Sequence, residues 1–69
     1  MGVMGSTNRE VAGYRRAVEF WRKPGRSHFS GNAMRAAARG FAASELAKKL
    51  HPDEVRSFVE TTYTLSKIR

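Results

Sequence analysis

The side chains in this sequence best equipped for chemistry are its cations. Arg9, Arg15, Arg16, Arg22, Lys23, Arg26, Arg35, Arg39, Lys48 and Lys49 meet only Glu10, Glu19 and Glu45 in the first fifty residues. Guanidinium and ammonium groups at this density suit phosphates and carboxylates, with which they form charge-assisted hydrogen bonds. Beyond residue 50 the balance changes: Arg56, Lys67 and Arg69 are matched by Asp53, Glu54 and Glu60. The net charge of +7 on 69 residues therefore belongs to the first two thirds of the chain. A positive field distributed this unevenly attracts polyanions: nucleic acid, an anionic membrane or an acidic protein face. A solvated surface that keeps a small protein soluble accounts for the charge but not for its segregation.

Other reactive groups are few. The sequence has no Cys, which excludes disulfides and thiolate metal sites, and its two histidines, His28 and His51, lack ligand spacing. No glycine-rich phosphate loop is present, and neither His has an orienting acid in a nucleophile–base arrangement. Asp53 and Glu54 directly follow Pro52. Acids there answer the positive end of a helix rather than forming a catalytic pair. No catalytic residue, metal or cofactor is expected, and a chain this short has little room for an enclosed active site.

The elements that must carry the cations are helical. Thr7-Asn8-Arg9-Glu10 fits a capping box, and Val11, Tyr14, Val18 and Trp21 recur at helical spacing before Pro24-Gly25 stops the run. A first helix over 8–22 follows, with Arg9, Arg16 and Lys23 on one face and Arg15 and Arg22 flanking the apolar stripe. Residues 26–31 read as a loop in which Phe29 closes over the core, and Ser27, Ser30 and Asn32 are candidate caps for the next helix. Residues 32–50 are rich in Ala, with Gly40 near their middle. Met34, Ala37, Ala38 and Phe41 share one face, whereas Ala42, Leu46 and Leu50 share another. Either the chain breaks near Gly40, or one helix over 31–50 is buried by different partners along its length. Pro52 opens a last helix over 52–66, on which Val55, Phe58, Val59, Thr62 and Leu65 form a stripe. Thr61, Thr62 and Thr64 weaken its end.

The fold class is all-α: one small domain, a bundle of three helices, or four if the middle one breaks. The expected core is Val11, Tyr14, Val18, Trp21, Met34, Ala37, Phe41, Leu46, Leu50, Val55, Phe58, Val59 and Thr62. The first six residues read as a flexible tail and match the N-myristoylation pattern, with Gly2 as acceptor. No apolar run is long enough to span a membrane, so membrane association is the least favoured of the polyanion readings.

Around Gly40 the sequence resembles a helix-turn-helix. Ala36 lies four residues before Gly40, Phe41 follows it, and Leu46 takes the buried place in a second helix. The sequence departs from the pattern at Arg35, Arg39 and Lys49, where apolar residues are usual. The resemblance implies a DNA-reading helix pair.

Together these features point to a small basic nucleic-acid-binding or DNA-associated regulatory protein of the cytoplasm. It would contact phosphates through the ten cations of residues 9–49, with Arg35 and Arg39 foremost, and take DNA before RNA. The competing expectation is a protein-interaction module, an inhibitor, adaptor or accessory subunit that docks on a larger, acidic partner. The neutral last helix is the place for homodimerisation in either case.

Overall fold

The computed structural model describes residues 8–68. The capping Thr7, the six-residue tail with its Gly2 pattern and the terminal Arg69 lie outside them. The described chain is an all-α bundle: α1 (Asn8–Arg22), α2 (Gly31–Ala42), a single turn α3 (Glu45–Lys48) and α4 (Pro52–Ser66). Lys23 takes the extended conformation required before a proline, which ends α1. A short 3-10 turn over Pro24–Arg26 follows. Ser30, one of the three candidate caps, opens α2 by accepting a hydrogen bond from the Ala33 N–H at 3.1 Å.

The middle stretch breaks, but not at Gly40. That glycine is an ordinary interior residue of α2, and the helix runs on to Ala42. Ser44 makes the break. Its hydroxyl donates to the Phe41 carbonyl at 2.6 Å, and its oxygen accepts from the Ala47 N–H at 3.3 Å. A serine that closes one helix and caps the next gives the backbone an alternative to continuing straight. The expected helix over 31–50 is therefore two helices meeting at a serine corner.

α4 is the centre of the bundle. It packs against α1, α2 and α3, whereas the backbones of α1 and α2 never come close. His51 caps α4, its Nδ1 accepting from the Asp53 N–H at 3.1 Å, and Pro52 occupies the first turn as expected. The threonines do not unwind its end: α4 continues to Ser66. Thr64 donates to the Glu60 carbonyl, and Thr62 is fully buried. Beyond Pro52, the fully exposed residues along α4 are polar (Arg56, Glu60 and Thr64), and its apolar side is buried or half-buried against the bundle.

The core gathers Ala17, Trp21, Met34, Ala38 and Phe58, with Phe20, Phe29 and Phe41 packed around it. The Trp21 indole N–H donates to Thr62 Oγ1 at 3.0 Å, so the buried nitrogen and hydroxyl satisfy one another. Phe29 closes over the core as expected, edge-on to Trp21 at 5.4 Å.

One expectation about the core is overturned on α1. Val11 and Tyr14 are exposed, at 38% and 56%, and Val18 is only half-buried. The buried face is Gly13, Ala17 and Trp21. The helix is rotated by about 80° from the orientation its large apolar side chains suggest, taking roughly 100° per residue. The cause is a close crossing. A Cβ on Gly13 would run into the Glu54 carbonyl oxygen and stand 2.7 Å from Ser57 Cβ. Across the same contact the Ser57 hydroxyl donates to the Glu10 carbonyl at 2.6 Å. Small side chains let the two backbones meet, and a stripe of Val and Tyr at that place would hold them apart. Leu46, also expected inside, is 55% exposed because the serine corner turns α3 so that Ala47 faces in.

Candidate nucleic-acid interface

The cations fall into two groups once their partners are known. In the first group, the fold uses them. Arg16 Nε donates to Glu54 at 2.8 Å, joining α1 to the start of α4. The Arg26 guanidinium lies 3.7 Å from the centre of the Phe20 ring and donates to the Phe20 carbonyl. Arg35, half-buried, donates to the Ser66 hydroxyl at 2.9 Å and to Asn32 Oδ1. Arg39 donates to the Tyr63 hydroxyl at 3.0 Å. Lys48 pairs with Glu45 at 3.1 Å within α3. Arg35 and Arg39, the expected principal contacts, are thus braces between α2 and the second half of α4. That explains why two arginines stand where a buried pattern wants apolar residues: Ser66 and Tyr63 supply polar partners for them.

Arg9, Arg15, Arg22 and Lys23 form the second group. Arg9, Arg15 and Arg22 lie on α1 and Lys23 just past its end; all four are exposed, and none has an ion-pair or side-chain hydrogen-bond partner among the described residues. Lys49, beside α3, and Lys67, past the end of α4, are likewise exposed and unpaired among the described residues. The acids account for part of the division; neutral partners hold Arg26, Arg35 and Arg39. Glu10 and Asp53 are held by Arg56, at 3.3 and 3.2 Å, while Glu54 is held by Arg16 and Glu45 by Lys48. Only Glu19 and Glu60 are left without a cation among the described residues. Ion pairing therefore neutralises charge over α3 and α4, while α1 and α2 keep a positive excess; on α2 the two arginines are tied to neutral partners, and on α1 Arg9, Arg15 and Arg22 are not tied at all.

The outward side of α1 has an ordered layout. Arg15 and Arg22, seven residues apart, share one edge, Arg9 and Arg16 share another about 120° round the helix, and the extended Lys23 follows the helix end. Beside the Arg15–Arg22 edge runs a stripe of exposed Val11 and Tyr14 and half-buried Val18. Tyr14 stands outside the core that helical periodicity predicts. The signal for the true arrangement is the Gly13–Ala17–Trp21 series at intervals of four, which marks a face where backbones approach.

The helix-turn-helix resemblance does not survive the geometry. Gly40 makes no turn, and α3 is four residues long, too short to lie along a DNA groove as a reading helix. Among the described residues no helix is long and apolar enough to cross a membrane, and no three His, Cys, Asp or Glu side chains gather as metal ligands would. No protein-family model, curated protein or solved structure matches the chain.

Proposed function

We propose that the chain is a small, non-catalytic nucleic-acid-binding protein whose contact surface is the outward side of α1. One observation carries this reading: Arg9, Arg15 and Arg22 on α1, with Lys23 just past its end, are exposed cations that no side chain of the bundle holds, and they outnumber the one unpaired acid among them, Glu19. Exposed cations that the fold does not use are free to replace the counterions condensed on a phosphate backbone, and the release of those ions drives binding. Arg16 stands among them but is committed to Glu54, and Arg35 and Arg39 are committed to α4.

Fluorescence anisotropy with labelled DNA and RNA over a series of salt concentrations tests this. Affinity is expected to fall steeply with salt. Replacing Arg9, Arg15, Arg22 and Lys23 by Gln should flatten the log–log slope by about three to four, near one unit for each phosphate contact removed. Replacing Arg35 and Arg39 should leave the slope almost unchanged. An absence of binding to either nucleic acid at low salt and micromolar protein overturns the proposal.

A second reading, docking on a protein partner, is favoured by a different, apolar surface. A groove of about 710 Å³ runs between α3 and α4, floored by Ala47, Leu50, Val55 and Val59 and edged by Lys48, Arg56 and Glu60. A partner retained on the protein after nuclease treatment, and lost on Val59→Asp, would support that reading.

A further inference from the structure

Tyr14 is the most exposed aromatic ring of α1, and no ring contact or hydrogen bond involves it among the described residues. Tyr63, in contrast, is half-buried and accepts a hydrogen bond from Arg39. Tyr14 stands as a wall between two shallow grooves. One, of about 300 Å³, is lined by Tyr14, Arg15, Val18, Glu19 and Arg22. The other, of about 450 Å³, lies toward α4 and includes Val11, Arg56 and Thr61. The first groove combines a ring face, an aliphatic floor, two unpaired guanidiniums and one unpaired carboxylate.

That combination fits a nucleobase better than a bare phosphate. The Glu19 carboxylate would repel an anion placed in the groove, but it can accept a hydrogen bond from the exocyclic amine of a base. Arg15 and Arg22, about 10 Å apart along the helix axis, stand where phosphates on either side of that base would run. A base can reach the face of Tyr14 only if it is not already stacked within a duplex. An exposed aromatic among cations is the arrangement by which proteins hold single strands without sequence readout.

We infer that α1 takes nucleic acid in single-stranded form, with an unpaired base stacked on Tyr14 and its flanking phosphates on Arg15 and Arg22. This rests on the nucleic-acid reading above and narrows it from polyanion to single strand.

The test uses the full chain with a short labelled single-stranded DNA, the RNA of the same sequence and the corresponding DNA duplex, at one low salt concentration. Wild type, Tyr14→Ser and Tyr14→Phe are compared. The expected result is tighter binding to at least one single strand than to the duplex. Tyr14→Ser should weaken that binding roughly tenfold, as loss of one base–aromatic stack does, with Tyr14→Phe restoring it and duplex affinity unmoved. The DNA and RNA arms identify which strand is preferred. Equal weakening of single strand and duplex by Tyr14→Ser, or no weakening of either, overturns the stacking role while salt-dependent binding keeps the nucleic-acid reading. A preference for duplex overturns the single-strand inference in the same way. Binding to none of the three removes both readings. Loss of a nuclease-resistant protein partner on Tyr14→Ser, with oligonucleotide binding unchanged, assigns the stripe to a protein and overturns the inference.

Discussion

The two sides of α1 are built on opposite principles. The inward side is Gly13, Ala17 and Trp21, small residues that let α4 come close and one large ring that reaches the core. The outward side keeps Val11, Tyr14, Arg15 and Arg22, and most of that surface has no partner in the bundle. On a helix stabilised only by burial, the larger apolar stripe would face in. Here backbone proximity decides, because a crossing at Gly13 also admits the Ser57–Glu10 hydrogen bond and keeps Phe58 at the core. Large apolar and cationic side chains on a free face suit a ligand rather than a fold.

The largest expected effect comes from disturbing the inward side. In Gly13→Ala the new Cβ would meet the Glu54 carbonyl and stand 3.1 Å from the Phe58 nitrogen, atoms of a backbone that cannot swing aside. Overpacking costs about 1–3 kcal/mol or more, and alanine's better helix propensity returns only about 1 kcal/mol. We expect a net loss of about 2 kcal/mol, read as a fall of roughly 10 °C in Tm by circular dichroism. A neutral or stabilising outcome would mean that α1 and α4 do not cross at this glycine.

How much of this is legible from sequence depends on the kind of signal. Pro24, Ser30 and Pro52 mark element ends by local chemistry, and α1 and α4 lie where those marks put them. Segregation of charge between the two parts of the chain is also legible, since it needs only counting. The orientation of α1 is not. Periodicity weighs side chains by hydrophobicity, whereas a close crossing selects for the absence of a side chain, and Gly13 contributes nothing to an apolar stripe. Nor is the corner at Ser44: Gly40 draws attention as a breaker, yet a serine able to bond both Phe41 and Ala47 breaks the helix four residues later. The roles of Arg35 and Arg39 depend on partners 31 and 24 residues away in sequence, which no local pattern contains.

A second glycine sharpens the contrast. Gly40 is also a helix-interior glycine, but nothing lies within 4 Å of a Cβ placed there. Gly40→Ala removes unfolded-state freedom without meeting a neighbour, so it should stabilise by about 0.5–1 kcal/mol. The Tm should rise by roughly 5 °C in the same assay. Opposite signs for one substitution at Gly13 and Gly40 would tie the effect to the α1–α4 crossing rather than to helix propensity. If both variants are stabilised, propensity alone governs and the crossing is loose.

The smallest effect belongs to the outward side, and it tests the rotation of α1 most directly. Val11 is 38% exposed, and Val and Ser have similar helix propensities. Val11→Ser should therefore change stability by no more than about 0.5 kcal/mol, under roughly 4 °C in Tm. A loss above about 1.5 kcal/mol would instead indicate a covered valine. Two arrangements could cover it, and protein concentration separates them. A helix turned to bury Val11, Tyr14 and Val18 within the protomer gives a Tm independent of concentration, whereas a second molecule on that stripe gives a Tm that rises with it. A small change at every concentration leaves the stripe free in the isolated protein, which is the condition for Tyr14 to receive a base.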